Sequence, residues 1–209
     1  ISNVYLKKNN HHDALFFLNK SLKLKPNIPI LIKSKLELLR LMDKKKEALS
    51  FLDEMINYNP NDAYLYNEKA LILSQLNKQV ESINSYKSAY LIDPDYPYVL
   101  GNIVFEKLKN CEWDNIENNF DDIYKKIKKG KEVSDPLLVS YIFDSPLIQN
   151  ETAKIWVNFK KDEKYNEYQF SNLENHKKLN IGYFSADFRN HPVGHLISRS
   201  IELHDKSKF

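Results

Sequence analysis

Leu24-Lys25-Pro26-Asn27, Tyr58-Asn59-Pro60-Asn61 and Ile92-Asp93-Pro94-Asp95 decide how this chain folds. The three prolines stand 34 residues apart, and each closes a similar phrase. Upstream of each, the same period carries a small residue (Ala14, Ala48, Ser82), a large one (Leu18, Leu52, Tyr86), and then Ser21, Met55 or Ala89. A further column, Tyr5, Leu39 and Leu73, lies one helix earlier. Proline cannot continue a helix interior, so it marks the break between helical pairs. A small residue at a helix crossing lets the two backbones approach, and the large residue fills the adjoining groove. One hairpin of this kind cannot bury its apolar face alone, so hairpins stack into a solenoid. A generic helical bundle needs apolar periodicity and leaves the fixed spacing of the prolines unexplained.

The pattern resembles the tetratricopeptide repeat, in which small, large and closing proline positions recur every 34 residues or so. On this reading residues 1–96 are repeats. The first helix is a remnant from Ile1 to about Lys8, with further repeats expected upstream, and complete repeats run over residues 29–61 and 62–95.

Composition narrows the function. The 209 residues carry 31 basic and 28 acidic side chains, a net charge of +3. That balance argues against a nucleic-acid binder, which concentrates its basic residues on one face. The lysine runs at Lys44-Lys45-Lys46, Lys125-Lys126 and Lys128-Lys129 stand among Asp and Glu and read as solvated helix faces. A single cysteine, Cys111, permits no internal disulfide and points to a reducing, cytoplasmic compartment. No apolar run reaches the length of a membrane span, so no membrane partner is expected.

Residues 97–178 read as an altered capping hairpin, connector helices and a linker. One helix runs from Pro97-Tyr98-Val99-Leu100-Gly101 to about Lys109, and a second runs to about Lys129, where Gly130 stops it. No closing proline follows. Trp113 is expected to be buried here, and Cys111 to be a small buried apolar residue. Ser134-Asp135-Pro136 and Asp144-Ser145-Pro146 each place proline just after a capping side chain, a helix-start signal. Residues 163–178 are polar and lack a period.

At residue 179 the composition changes. The last 31 residues hold two of four glycines, two of three arginines and three of six histidines. Leu179 to Ser185 reads as a short strand, Asp187-Phe188-Arg189-Asn190 as a loop, and His191-Pro192-Val193-Gly194-His195 as the mouth of a helix. Leu196, Ile197, Ile201 and His204 share one face of that helix. Strand, loop and helix open a doubly wound sheet, whose ligands bind beyond the carboxyl ends of the strands. There is no Gly-x-Gly-x-x-Gly, so this is not a dinucleotide fingerprint.

Ile181-Gly182-Tyr183-Phe184-Ser185-Ala186-Asp187-Phe188-Arg189-Asn190-His191-Pro192-Val193-Gly194-His195-Leu196 resembles the start of the catalytic region of the protein O-GlcNAc transferases, the family 41 glycosyltransferases, and their bacterial relatives. That family places tetratricopeptide repeats directly before this region. Leu100-Gly101 followed by Cys111-Glu112-Trp113 is similar to its transition segment. The expected fold is therefore mainly α: a tetratricopeptide solenoid over residues 1–96, the connector over 97–178, and the first strand, loop and helix of an incomplete α/β, GT-B-like lobe over 179–209. The resemblance implies transfer of N-acetylglucosamine from UDP-GlcNAc to Ser or Thr of proteins, without a metal or other cofactor, with the acceptor protein or peptide lying along the repeats. A two-lobed site needs both lobes, so the chain alone is expected to be inactive.

By the same resemblance His191 is the active-site histidine, a base or a group that positions the acceptor. Asp187, Asn190 and His195 are expected to support it, with Asp187 accepting backbone N–H bonds and His195 packed. Arg189 is expected to meet a phosphate or the acceptor, or to face solvent. His191 and His195 have His-x-x-x-His spacing, but proline follows the first and no Glu accompanies them, so zinc is not expected. In well-known relatives, asparagines in one column of the superhelix interior hold the acceptor backbone. Here that column reads Ser34, Glu68 and Asn102, and only Asn102 matches. Two other readings stand beside this one: a repeat scaffold for protein–protein interaction without catalysis, and an enzyme of another GT-B family.

Overall fold

The computed structural model describes residues 11–160 and 181–208. Tyr5, the remnant helix before Lys8, the linker at 163–178 and the start of the expected strand at Leu179 and Asn180 lie outside the described residues. The chain divides into two compact units, Ile1–Asp162 and Glu163–Phe209.

The first unit is a row of helices: α1 (His11–Leu24), α2 (Pro29–Leu41), α3 (Lys45–Tyr58), α4 (Ala63–Gln75), α5 (Gln79–Ile92), α6 (Val99–Lys109), α7 (Ile116–Lys128), α8 (Pro136–Ile142) and α9 (Pro146–Lys160). Each packs mainly on its neighbours in the chain, with α7 also touching α9. The core is accordingly a series of overlapping clusters. Leu22, Ile32, Phe51, Met55 and Leu65 join α1 to α4, and Ala63, Ala70, Tyr86, Ala89, Val99 and Ile103 join α4 to α6. Leu100, Val104, Ile123, Ile127, Leu138 and Ile148 close the row from α6 to α9. This is a solenoid, in which each hairpin borrows its neighbour's apolar face.

The repeat columns occupy the places their chemistry requires. Ala14, Ala48 and Ser82 are buried, as are Leu18, Leu52 and Tyr86. Ser82 reconciles its hydroxyl with burial by donating to the Ala70 carbonyl at 2.9 Å, which ties α5 to α4. A further column appears in the turns. Asp43, Asn77 and Cys111, each 34 residues from the next, all adopt left-handed backbone, with φ of 52°, 57° and 53°. The next residue's N–H then reaches back to the closing turn of the helix: Lys44 to Leu39 O at 2.8 Å, Lys78 to Leu73 O at 3.0 Å, Glu112 to Lys107 O at 2.9 Å. Such a bond satisfies a carbonyl left over at the helix end. The pair α6–α7 therefore turns like the repeats before it, although no proline closes it.

That turn corrects two expectations. Cys111 is exposed, because the left-handed position lies at the tip of the hairpin. Trp113 is 62% exposed rather than buried. The interior place beneath the turn belongs to Lys107, which continues the Leu39 and Leu73 column. Lys107 is buried and donates its ammonium to the Asp114 carbonyl at 2.6 Å. Glu106, beside it and 3% exposed, accepts from Ser74 Oγ at 2.6 Å and pairs with Lys109 at 3.1 Å. These bonds satisfy charges that burial would otherwise penalise.

The helix starts follow their signals. Asp135 caps α8 by accepting from Leu138 N–H at 3.0 Å, with Pro136 next in line. Gly130 takes φ 70° after α7. Segment 131–135 runs against the first turn of α6: Tyr98 N–H donates to Glu132 O at 2.7 Å and Gly101 N–H to Val133 O at 3.0 Å. These are first-turn donors with no partner inside their own helix.

In the second unit the described helix is α10 (Pro192–Glu202). Residues 181–185 form no strand, and the described residues contain none. A strand exists through hydrogen bonds to a neighbouring strand, and no described segment provides one. None of the residues of α10 is buried, and Phe184 is 95% exposed.

Candidate functional site

Two places bear on function, one in each unit. In the second unit, residues 185–195 form a compact loop on the mouth of α10. His191 is the N-cap, in extended backbone, and its Nδ1 accepts the Val193 N–H at 3.3 Å. Its own N–H donates to Arg189 O at 2.7 Å, and His195 N–H donates to His191 O at 3.2 Å. Pro192 at the first helical position brings no N–H to satisfy, so the helix starts cleanly behind the histidine.

Gly194 permits this geometry. A Cβ at that position would lie 2.7 Å from Arg189 O and 3.2 Å from Asp187 O. The loop backbone can therefore rest on the first turn only because the side chain is absent. Asn190 Oδ1 lies 3.0 Å from His195 Nε2, which links the loop to the helix a turn later. The acceptor of a loop N–H is Ser185 Oγ, 3.0 Å from Asp187 N, rather than Asp187 itself. The Asp187 carboxylate faces the Arg189 guanidinium at 3.7 Å. His195 is exposed rather than packed, because α10 buries none of its residues. Tyr183 Oη and His204 Nε2 meet at 2.6 Å and bring the 181–185 segment to the far end of α10.

The loop thus holds all five residues singled out in the sequence: Asp187, Arg189, Asn190, His191 and His195. Its geometry presents an imidazole, a guanidinium and an amide around a helix mouth. Among the described residues no group of three His, Cys, Asp or Glu side chains could hold a metal ion.

In the first unit a groove of about 400 Å³ runs between α2, α3 and α4, lined by Lys33, Glu37, Arg40, Tyr64, Glu68 and Leu71 among others. Burial pushes the Glu68 carboxyl upward, against the pull of Arg40 and Lys33. Burial and the nearby Glu68 raise the Tyr64 hydroxyl as well. Lys33 Nζ lies 4.9 Å from the centre of the Tyr64 ring, a cation–π distance. Ser34, Glu68 and Asn102, in α2, α4 and α6, are all half-buried. Of the three, Glu68 lines the groove. Arg40 escaped the column reading, although it is one of only three arginines in a lysine-rich chain.

Residues 151–209 match the model for glycosyl transferase family 41. Residues 1–28 and 63–96 match a tetratricopeptide repeat model. No curated protein matches the chain. Among solved structures, a crystal structure of MamA shares 13% identity over 75% of this chain and 90% of that one, with a TM-score of 0.52. A second MamA structure shares 19% over 61% and 70%, with a TM-score of 0.51. Across MamA structures it matches, the chain spans from 66% to 90% of their length. At these identities the likeness shows the repeat fold and nothing of activity. α2 and α3 lie between the two stretches matched as repeats and have the same hairpin geometry. A tetratricopeptide array and a segment that matches glycosyl transferase family 41 are thus joined in one chain.

Proposed function

We propose that the protein transfers N-acetylglucosamine from UDP-GlcNAc to Ser or Thr hydroxyls of protein acceptors, with the repeats presenting the acceptor to the catalytic domain. The observation that carries this reading is the family 41 match over residues 151–209, which contains the loop from Ser185 to His195. In this reading His191 acts on the acceptor as a base or a positioning group. Asn190, Asp187 and His195 hold the loop, and Arg189 meets a phosphate or the acceptor. No metal or cofactor is required. The acceptor lies along the helical repeats, and the reaction takes place in the cytoplasm.

The test is transfer by the protein carrying its whole family 41 domain. Acceptor proteins are incubated with UDP-GlcNAc, and Ser and Thr are examined by mass spectrometry. Addition of one N-acetylhexosamine per modified site is expected. Transfer from a different nucleotide sugar alone would redirect the donor assignment to another GT-B activity.

A second reading, a repeat scaffold for protein–protein interaction without catalysis, is favoured by the groove between α2 and α4. It predicts stable binding of protein partners and no sugar transfer from any donor.

A further inference from the structure

We infer that His191 meets the substrate as a hydrogen-bond donor, through Nε2–H, and is not the base. The inference rests on the proposed transferase reading for its substrate, but its chemical core is independent of that reading. A backbone N–H can only donate. The Val193 N–H points at His191 Nδ1 at 3.3 Å, so that nitrogen offers its lone pair. A neutral imidazole carries one proton, on one nitrogen or the other. With Nδ1 accepting, the proton resides on Nε2.

The cap is hard to give up. Pro192 has no N–H, so the Val193 N–H is the first backbone donor of α10 and has no partner within the helix. To present a lone pair at Nε2, the ring would have to carry its proton on Nδ1, where it would face the Val193 N–H donor to donor. A base must offer a lone pair to the proton it takes. The ring as held here offers N–H instead. Its substrate partner is then an oxygen with a free lone pair, on the acceptor hydroxyl or on the nucleotide sugar. The interaction is a hydrogen bond, and no proton moves to His191 in it.

His195 follows the same logic. Its Nε2 faces Asn190 Oδ1 at 3.0 Å, so Nε2–H donates to the amide oxygen. Both histidines of the loop thus carry the proton on the same ring nitrogen, one towards the loop and one available to a ligand.

The first experiment reads the tautomer directly. Long-range ¹H–¹⁵N spectra of the ¹⁵N-histidine-labelled chain are recorded at a pH well above the ordinary imidazole range near ~6.5. His191 is assigned by its loss in His191→Asn. The Nε2–H tautomer is expected for His191. The Nδ1–H tautomer, or an equal mixture of the two, would overturn the inference whether or not the protein transfers sugar.

The second experiment separates donor from base in the protein with its whole family 41 domain. His191→Asn keeps a capping oxygen and supplies an N–H donor, whereas His191→Asp keeps the cap and supplies a carboxylate capable of acting as a base. The expected order of turnover is Asn above Asp, with Asp falling by roughly 10²–10³-fold, the usual loss for a donor aimed at a reacting oxygen. The reverse order would overturn the donor role. Absence of transfer in the parent protein would refute the transferase reading and leave the tautomer to be decided by the spectra. Addition of UDP-GlcNAc alone and of acceptor alone then shows which oxygen the Nε2 signal responds to.

Discussion

Gly101 is the position at which one methyl group should do most damage. It lies in the first turn of α6, buried against segment 131–135. A Cβ built on it would stand 2.8 Å from Val133 O, 2.9 Å from Ser134 Cα and 2.8 Å from Ser134 Oγ. Two of these three atoms belong to backbone and cannot rotate away. Segment 131–135 must therefore shift, and the Gly101 N–H to Val133 O bond at 3.0 Å lies in its path. Overpacking of this kind costs ~1–3 kcal/mol, and loss of the hydrogen bond adds about 1 kcal/mol. Opposing this is alanine's helix propensity, worth at most about 1 kcal/mol over glycine. The net destabilisation of Gly101→Ala is about 1–3 kcal/mol, or roughly 2–12 °C in melting temperature for a unit of this size. Far-UV circular dichroism of the 209-residue chain on heating and in urea measures it. Gly130→Ala serves as the contrast, since nothing lies within 4 Å of its added methyl and its only strain is φ +70°. A melt for Gly101→Ala at or above that of the parent chain would refute the packing argument.

Ala48→Phe places an aromatic ring at a buried helix crossing and should destabilise by ~1–3 kcal/mol, read as an earlier urea midpoint. Ser82→Ala removes the buried bond to Ala70 O and should cost about 1 kcal/mol, since the carbonyl keeps its place in the helix. Glu68→Gln should raise the melting temperature at neutral pH. Burial raises the Glu68 carboxyl above its ordinary 4.5, so the folded state holds the proton more tightly than the unfolded chain. That favourable term is complete below the ordinary value and lost as pH rises through the raised one. The difference between Gln and Glu should therefore vanish in acid, and a Gln variant less stable than the parent at neutral pH would contradict the sign.

The repeat was legible because its columns answer to necessity. Proline must break a helix, and a crossing must be small, so Pro26, Pro60 and Pro94 with Ala14, Ala48 and Ser82 dated the period without a structure. The turn column was not legible, because left-handed backbone admits Asp43, Asn77 and Cys111 alike. Cys111 and Trp113 were assigned to the interior from residue type. Their exposure follows from the turn geometry, which gives the inner place to Lys107 and the tip to its successors. In the loop, the residues were legible and the atoms were not. Sequence pointed to Asp187 as an acceptor of backbone N–H, whereas in the loop Ser185 Oγ accepts from the Asp187 N–H. The expected strand depends on a partner that sequence pattern cannot supply. The groove residue Arg40 carried one usable signal, its rarity, which a column search passes over.

The central claim is that the loop at the mouth of α10 belongs to the active site of a sugar transferase. His191→Ala in the protein with its whole family 41 domain tests it most directly, with turnover and melting temperature measured on the same preparation. The account predicts a fall in turnover of roughly 10²–10³-fold for a lost donor to a reacting oxygen. The accompanying loss of stability should be no larger than a helix cap, about 0.5–2 kcal/mol. Turnover near that of the parent with a lowered melting temperature would contradict the account and leave His191 as a cap alone.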